Sequence, residues 1–396
     1  MENRKTVVVG VTGGIAAYKA LDVISRLKKA NLDVNVIMTE HSTKFVSPLS
    51  FQSLSQNMVI TDMFAEPKAW EIQHISLAKK ADLMLIVPAT ANIIGKVANG
   101  IADDMLSTTI MATKAPVVFA PAANTNMFMN PIVQNNIKKL REYGYKFIDP
   151  DEGRLACGDT GAGKLADTKL ISDIVISMLY DIKDLKGKKV LVTAGPTIAP
   201  IDPVRYLTNR STGKMGYAIA EEARDRGGDV TLVSGPCNLE KPFGINVINV
   251  NTNEEMLKVV EEKFQTSDIV IKAAAVADYK PKNYSREKIK KGNDDLILEL
   301  TRDNDILKKL GSMKKNQILV GFAAESNNVI DNATAKLHNK NLDFIIANDI
   351  TCSDTGFASE DNKVTILSKT GESISLPKMG KRMVAKELFN LINKKR

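Results

Sequence analysis

A cysteine in a glycine-rich polar loop is the residue most suggestive of chemistry. Cys157 stands between Ala156 and Gly158-Asp159. A thiol in such a loop is expected to be accessible, whereas most free cysteines are buried. An accessible thiol is prone to oxidation and is a liability unless it is used, so a chemical role and an incidental thiol are equal alternatives at this point. Cys237 and Cys352 have no comparable surroundings.

A histidine and an asparagine are also candidates, and each has an ordinary alternative. His74 lies in the apolar helical segment 72–79, where a lone histidine is more often a packing residue than an acid or base. Asn124 follows a predicted strand that ends at Pro121. This position puts Asn124 at the carboxyl edge of the sheet, where open α/β folds bind ligands. The alternative for Asn124 is an Asx turn or a helix cap.

Three glycine-rich segments raise the question of phosphate binding. Residues 10–19 (GVTGGIAAYK) suggest a strand, a glycine turn and a helix start, whose N–H groups can hold a phosphate or an electron-rich ring edge. The segment is not GxGxxG, and a plain tight turn is an equal alternative. Residues 161–166 match GxGxxA but follow no predicted strand, and residues 211–214 lack the Walker A spacing. Neither is therefore assigned to a nucleotide.

Lysines supply the other candidate anion contacts. Lys336 and Lys340 are four residues apart, which places both ammonium groups on one helix face. Two ammonium groups on one face can bind a polyphosphate. The basic run 288–291 lies near Asp278, although a solvated charged turn is the commoner meaning of such a run.

The hydrophobic pattern predicts the framework that positions these residues. Apolar β-branched runs alternate with helical spacing in each half, which is typical of a parallel, doubly wound sheet. In the first half the predicted strands are 6–9, 33–38, 83–87 and 116–121, and the predicted helices are 15–30, two pieces within 93–113, 131–143 and 169–184. Between the last two helices, residues 149–167 are predicted to form a long loop, and loops of that length are usually functional.

The second half repeats this scheme. Its predicted strands are 190–193, 230–234, 247–250, 269–272, 318–322 and 344–347; its predicted helices are 215–226, 253–264, 305–310, 329–337 and 381–392; and 363–367 with 373–376 is a predicted terminal hairpin. Residues 185–188 are the predicted junction, so the expected domains are 1–189 and 190–396.

Length and composition agree with two globular domains. At 396 residues, with 44% hydrophobic and 25% charged residues, the chain is too long for one ordinary core and too apolar for large-scale disorder. No apolar run is long enough to span a bilayer, and the three cysteines form no disulfide framework, so we expect a cytoplasmic protein without a membrane partner. The net charge of 54 − 46 = +8 is scattered, which favours phosphorylated small ligands over nucleic acid.

Taken together, these motifs resemble the family of bifunctional phosphopantothenoylcysteine decarboxylase/phosphopantothenate–cysteine ligases of coenzyme A biosynthesis, along essentially the whole chain. The first half has GVTGGIAAYK, the histidine of IQHISLAK, PATAN and ACGDTGAGK, and the second has TAGPTIAPIDPVRYLTNRSTGKMG, AAAVADY, EKIKK, GFAAES and KNLDFIIAND. One motif departs from the family pattern PxMNxxMW: Ala123 and Phe128 replace its Met and Trp, while Asn124 and Met127 are kept.

The resemblance implies an FMN-binding flavoprotein domain with carbon–carbon lyase activity. His74 would assist proton handling, and Asn124 would hold the substrate carboxylate and amide. Flavin would take two electrons from the cysteine moiety, giving a thioaldehyde whose decarboxylation yields a stabilised enethiolate. Cys157 would donate a proton as reduced flavin returns the electrons, giving 4′-phosphopantetheine. The implied FMN contacts are Gly13, Gly14, Ile15, Thr39, Ala89, Thr90, Ala91, Asn92 and Ser107.

For the second half the resemblance implies a Rossmann-like, nucleotide-dependent carbon–nitrogen ligase. CTP would activate 4′-phosphopantothenate as an acyl-cytidylate, and the amine of cysteine would attack it. Asn209 would stabilise the acyl intermediate, Lys288 would serve the cysteine-dependent half-reaction, and Mg²⁺, with unknown ligands, would bridge the triphosphate. The implied nucleotide contacts are Lys272, Ala273, Ala274, Asp278, Lys288, Asn304, Asp305, Ile306, Leu307, Phe322, Lys336 and Lys340. The family also implies a homo-oligomer.

Two alternatives remain at this point. A flavin-binding regulatory or interaction protein with a degenerate ligase half would share the first fold, but such a role needs no acidic thiol beside His74 and Asn124. An FMN-dependent prenyl transferase also has a similar fold, although the fused nucleotide-dependent half speaks against it.

Overall fold

The computed structural model describes residues 4–64, 72–154, 158, 160–291, 295–325, 327–349 and 359–394. The chain divides into two compact units, Met1–Tyr180 and Asp181–Arg396. Leu185, which the sequence analysis placed in the junction, is fully buried in the hydrophobic core of the second unit. Both units are α/β structures built on parallel sheets.

The first unit contains eight strands, a short 3-10 helix and nine α-helices within its described residues. In chain order they are β1 Thr6–Val11, the 3-10 helix Ile15–Lys19, α1 Ala20–Lys29, β2 Asp33–Met38, α2 Glu40–Thr43, α3 Pro48–Ser55, β3 Val59–Ile60, α4 Gln73–Lys80, β4 Leu83–Ala89, α5 Ala91–Ala98, α6 Met105–Ala112, β5 Val117–Pro121, α7 Thr125–Phe128, α8 Pro131–Glu142, β6 Lys146–Phe147, β7 Asp151–Arg154, β8 Thr160–Lys164 and α9 Thr168–Met178.

The sheet of this unit has the order β3-β2-β1-β4-β5-β6, and every pair is parallel. All six residues of β1 are buried, as expected for a central strand covered on both faces. The strand order reverses between β1 and β4. The carboxyl ends of these two strands therefore flank a crevice, which is where open α/β sheets bind ligands.

The second unit contains the remaining fourteen strands and five helices of the described chain. They are β9 Lys189–Ala194, β10 Ile198–Pro200, β11 Tyr206–Thr208, α10 Lys214–Asp225, β12 Asp229–Ser234, β13 Asn246–Asn249, α11 Asn253–Phe264, β14 Ile269–Lys272, β15 Tyr279–Pro281, β16 Leu300–Arg302, α12 Ile306–Met313, β17 Ile318–Glu325, α13 Val329–Asn339, β18 Phe344–Asp349, β19 Asp361–Asn362, β20 Val364–Ser368, β21 Ser373–Ser375, β22 Met379–Gly380 and α14 Lys381–Lys394.

Its eight-stranded sheet has the order β13-β12-β9-β14-β17-β18-β20-β21. The first six strands in this order are parallel, and β20 and β21 extend the sheet in antiparallel fashion. The switch point lies between β9 and β14, so the two units place their crevices at equivalent positions. Three two-stranded ribbons, β10–β11, β15–β16 and β19–β22, lie outside the sheet.

The structure corrects three predicted elements. The predicted loop 149–167 contains the antiparallel hairpin β7–β8, whose glycines have too little β-propensity to predict a strand. Residues 15–19 form a 3-10 helix before α1, and α9 ends at Met178 rather than at residue 184. No helix in the described part of the chain is long and apolar enough to cross a membrane.

Candidate active sites

A cavity of about 650 Å³ opens at the carboxyl ends of β1 and β4 in the first unit. It brings together five predicted flavin contacts and the predicted substrate contact Asn124. Its lining consists of Gly13, Gly14, Ile15, Ala16, Tyr18, Lys19, Thr90, Ala91, Ala122, Ala123, Asn124, Met127, Arg154, Gly163, Lys164 and Leu165. Volumes of this size are typical of small-molecule and cofactor sites.

Thr12 connects the turn after β1 to the turn after β4 at the edge of this cavity. Its buried hydroxyl donates to the carbonyl of Pro88 at 2.7 Å and accepts from the N–H of Thr90 at 3.1 Å. Gly13 then packs directly on α2, because a Cβ at this position would lie 2.5 Å from the Cβ of His41. The turn after β1 therefore approaches its neighbours more closely than any residue with a side chain would allow.

The other four predicted flavin contacts lie outside the cavity wall. Ala89 is fully buried, and its carbonyl accepts from the N–H of Ala122. Asn92 is exposed on the first turn of α5. Ser107 is fully buried, and its hydroxyl completes a capping box with Asp104 at the start of α6. Thr39 differs from these three because its buried Oγ1 has no hydrogen-bond partner among the described residues.

Asn124 caps a helix and also lines the cavity. Its side-chain oxygen accepts from the N–H of Asn126 at 2.9 Å at the start of α7. The predicted alternatives for Asn124, a helix cap and a ligand contact, are therefore compatible. The preceding residue is bound to the hairpin, because the N–H of Ala123 donates to the carbonyl of Gly163 at 3.0 Å.

The remaining two predicted residues of this unit are not in the described cavity wall. His74 is half-buried in the first turn of α4, a helix that packs against α6. Cys157 lies outside the described residues, between β7 and β8 in the sequence.

The second unit gathers a cluster of charged residues at the carboxyl end of β14. Burial is the main reason that the pKa of Lys272 falls to about 8, and Lys340 and Lys336 lower it further, while Asp278 and Asp305 oppose the shift. Four other predicted nucleotide contacts are therefore close enough to Lys272 to change its pKa.

Ion pairs organise this cluster. Lys340 pairs with Asp305 at 2.8 Å, and Lys336 pairs with Glu325 at 2.5 Å. Asp305 also caps α12 by accepting from the N–H of Lys308 at 3.0 Å. Burial would raise the pKa of Asp305, but the ion pair with Lys340 and the bond from Lys308 outweigh it and lower the pKa.

Asn253 connects the two segments that carry most of the predicted nucleotide contacts. Its buried Nδ2 donates to the carbonyl of Asn304 at 2.9 Å and to that of Ala277 at 3.4 Å. Asn304 begins the predicted contact segment 304–307, and Ala277 precedes Asp278. The amide of Asn253 therefore fixes these segments side by side.

Asn209 is tied to the loop that follows β14. Its Nδ2 donates to the carbonyl oxygens of Ala275 at 3.0 Å and Val276 at 3.2 Å. A cavity of about 130 Å³ adjoins the same loop, with Ser211, Thr212, Gly213, Lys214, Met215, Gly216, Ala273, Ala274, Ala275, Phe322, Ala323, Ala324, Asn348, Asn362 and Lys381 in its wall. Three predicted contacts, Ala273, Ala274 and Phe322, therefore share this cavity.

Several residues of the two cavity walls were missed by the sequence analysis. The segments 161–166 and 211–214 were noticed for their glycines and then set aside because their spacing fits no dinucleotide or Walker motif. Both line a cavity. Asn348, Asn362 and Lys381 come from β18, β19 and α14, and no local sequence pattern marked them. The buried Oδ1 of Asn348 has no partner among the described residues.

Lys288 is exposed, and hydrogen bonds made by the next residue, Ile289, fix its backbone position. The N–H of Ile289 donates to Asp202 at 3.2 Å, and Nη2 of Arg205 donates to the carbonyl of Ile289 at 2.8 Å. Burial would raise the pKa of Asp202, but the N–H groups of Val204, Arg205 and Ile289 outweigh it and lower the pKa.

The described chain contains no group of three or more His, Cys, Asp or Glu side chains arranged to hold a metal ion.

Two family models match the chain, one for each unit. Residues 1–180 match the model described as Flavoprotein, and residues 185–395 match the model described as DNA/pantothenate metabolism flavoprotein C-terminal domain.

Curated relatives match both units together. The coenzyme A biosynthesis bifunctional protein CoaBC of Bacillus subtilis is 49% identical, over 99% of this chain and 97% of the relative. The protein of the same name from Borreliella burgdorferi is 45% identical, over 99% of this chain and 100% of the relative. A solved structure of the C-terminal domain of a CoaBC protein is 46% identical, with a TM-score of 0.46, and covers 53% of this chain and 96% of that structure.

Proposed function

Because the chain belongs to the family of bifunctional coenzyme A biosynthesis proteins, we propose that it catalyses two consecutive steps of that pathway. The first is CTP-dependent ligation of cysteine to 4′-phosphopantothenate, and the second is FMN-dependent decarboxylation of the product to 4′-phosphopantetheine. The observation that carries the proposal is the extent of the similarity, since relatives named for two activities match 98–99% of this chain.

The residues of the first cavity fit FMN. The glycine turn after β1 offers N–H groups without side chains, and Thr90 and Ala91 face the same cavity. Thr39 has a buried hydroxyl oxygen without a hydrogen-bond partner among the described residues. When bound, FMN supplies a two-electron acceptor that later returns the electrons. We assign this cofactor to the turns after β1, β2 and β4.

The chain's own residues would handle the substrate and its protons. Asn124 lines the cavity while its oxygen caps α7, so we assign it to the substrate amide and carboxylate. His74 is assigned to proton handling. Cys157 is assigned as the acid that donates a proton to a carbon of the enethiolate when the enethiolate is reduced. A thiol suits this role because its pKa lies near neutral pH.

In the second unit, the charged cluster around Lys272 suits a nucleoside triphosphate. Three lysines close to one another supply positive charge for the phosphates, and Asp278 can accept a hydrogen bond from the exocyclic amine of cytosine. Asn209, held beside the loop after β14, is assigned to the acyl-cytidylate, and Lys288 to the reaction of that intermediate with cysteine. We include Mg²⁺ as the ion that neutralises the triphosphate during transfer.

We further propose a cytoplasmic homo-oligomer whose subunits share the flavin site. Large apolar side chains at the first cavity support the shared site: Ile15 is 61% exposed, Tyr18 56% and Met127 55%. Side chains of this kind beside a site are typical of surfaces that another chain covers. The cytoplasmic location rests on the few, widely spaced cysteines.

Purified protein should be yellow and should convert 4′-phosphopantothenate, cysteine and CTP into 4′-phosphopantetheine, identified by mass. Without CTP, only 4′-phosphopantothenoylcysteine supplied directly should be decarboxylated. A colourless protein that cannot be reconstituted with FMN would contradict the first half of the proposal. Binding of flavin without either product would instead favour a regulatory or interaction protein.

A further inference from the structure

Asn253 is a buried polar residue with no assigned role in the proposed ligation. It is the first residue of α11 and is 2% exposed. Its Oδ1 is buried and has no hydrogen-bond partner among the described residues. A buried acceptor without a partner costs free energy in the folded protein, so stability alone gives little reason for an amide at this position. The value of the side chain therefore lies in the two bonds that its Nδ2 donates.

One of these bonds holds the backbone of Ala277, the residue before Asp278. The carbonyl of Ala277 accepts from Nδ2 of Asn253 at 3.4 Å, and its N–H donates to Oγ1 of Thr197 at 3.0 Å. Thr197 is fully buried. Both backbone polar groups of Ala277 are thus satisfied by buried side chains from other segments. The backbone that leads into Asp278 is therefore fixed from two sides.

The other bond joins this backbone to the segment before α12. Nδ2 of Asn253 donates to the carbonyl of Asn304 at 2.9 Å, and the N–H of Asp303 donates to the carbonyl of Asp278 at 2.9 Å. Asp278 and residues 304–307 are predicted nucleotide contacts, so these bonds set the separation between them. The bond from Asp303 continues the β15–β16 ribbon, whereas the bonds from Asn253 connect the end of that ribbon to α11.

The start of α11 is a firm support for these bonds. Thr252 and Glu255 form a capping box there, and Oε2 of Glu255 also accepts from the N–H of Asn251 at 2.6 Å. The carbonyl of Asn251 in turn accepts from the N–H of Ile198 in β10 at 2.9 Å. Because the helix start is held by these bonds, the side chain of Asn253 transmits the position of α11 to the ribbon.

We propose that Asn253 is a positioning residue that sets the preference of the ligase site for the base of the nucleotide. The inference rests on the proposed function, in which Asp278 accepts a hydrogen bond from the exocyclic amine of cytosine. A hydrogen bond is lost when its partners move apart by about 1 Å, whereas the attraction between lysines and phosphates changes little over that distance. Loss of Asn253 should therefore weaken recognition of the base more than attraction of the phosphates.

The test is calorimetric binding of CTP and of UTP, which has a carbonyl oxygen in place of the amine, to the full, FMN-loaded chain. The wild type should prefer CTP by about tenfold or more. Asn253→Ala and Asn253→Leu should each reduce this preference by about fivefold or more, chiefly by weakening the binding of CTP. Asn253→Leu keeps a similar side-chain volume without a donor, so it separates the lost bonds from the effect of a cavity.

Two controls distinguish positioning from general damage. Asn249→Ala changes an exposed asparagine at the end of β13 and should keep the preference of the wild type. In an Asp278→Ala background, Asn253→Ala should reduce the preference no further, because the group that it positions is gone. Ligation kinetics give a second readout: Asn253→Ala should raise the KM for CTP while kcat at saturating CTP stays near that of the wild type.

Four results would overturn the inference: a wild type without a preference, an unchanged preference in both variants, equal losses of CTP and UTP affinity, or a further loss in the Asp278→Ala background. A lower kcat with an unchanged KM would also contradict it. A wild type that prefers CTP, with variants that lose the preference, but without any amide product, would support the positioning role and refute the proposed ligation.

Discussion

Lys272 is a residue whose charge depends strongly on its surroundings. Burial and Lys340 lower its pKa from 10.5 to about 8. Below the lower value the amine is charged in both the folded and unfolded states, and its burial is costly. As the pH rises from about 8 to 10.5 the folded state loses the proton first, so the contribution of Lys272 to stability improves over this window.

The same pKa predicts a pH-dependent nucleotide affinity. Between about pH 7 and about pH 9 the site loses the positive charge of Lys272, so binding of CTP should weaken by about fivefold. Calorimetry at the two pH values measures the change. Lys272→Arg keeps its charge throughout and should abolish the dependence. An unchanged pH profile in this variant would assign the dependence to another group.

Lys288 should separate the two halves of the ligase reaction. Lys288→Gln should release pyrophosphate and accumulate the acyl-cytidylate, while amide formation falls by about 10²-fold, because the residue is assigned only to the attack of cysteine. Quenched samples analysed by mass measure both species. Lys282→Gln is the control, since Lys282 is exposed and forms an ion pair with the exposed Glu299. Normal amide turnover in Lys288→Gln would remove the residue from the mechanism.

Cys157 should be needed only after CO₂ has left. In Cys157→Ser the hydroxyl is too weak an acid for the final protonation, so CO₂ release should continue while 4′-phosphopantetheine falls by about 10²-fold or more. The stalled product should be two hydrogens lighter by mass. Cys237→Ser removes a thiol from the second unit and should give normal product. Full output from Cys157→Ser would show that another group supplies the proton.

At the scale of elements, the β7–β8 hairpin joins Asn124 to the rest of the cavity. Gly163→Ala should reduce kcat/KM for decarboxylation by about tenfold or more, because its Cβ would push the hairpin away from Ala123. Gly144→Ala introduces a similar backbone strain, at a φ of +89°, but its Cβ would meet no atom within 4 Å. Only the first variant should impair decarboxylation, measured as CO₂ release; equal losses would indicate strain alone.

The elements that sequence analysis predicted well are those with strong hydrophobic patterns. The predicted strand 269–272 and helix 253–264 match β14 and α11 at both ends. Short ribbons were missed, because strands of two to five residues are too short to show an alternating hydrophobic pattern. The cavity walls were only partly predicted. Residues such as Lys164 and Asn348 enter a wall through tertiary structure, which no local spacing reveals.

At the scale of the whole molecule, the two units should work as separable catalysts. Each crevice lies between strands of its own sheet, β1 and β4 in one unit and β9 and β14 in the other. A mixture of Cys157→Ser and Lys288→Gln proteins should therefore form 4′-phosphopantetheine from 4′-phosphopantothenate, cysteine and CTP. Each protein alone should not, and product analysis by mass decides. Failure of the mixture, with both partial activities present, would show that the intermediate is not released.

The positions of the ribbons have a consequence for the evolution and redesign of this chain. The ribbons β7–β8, β10–β11 and β15–β16 each follow the carboxyl end of a parallel strand, namely β6, β9 and β14. None contributes a strand to either large sheet. Ribbons in these positions can lengthen, shrink or be exchanged without altering the order of the sheet strands. New substrate preferences are therefore most accessible by grafting ribbons between relatives, while the two sheets are left untouched.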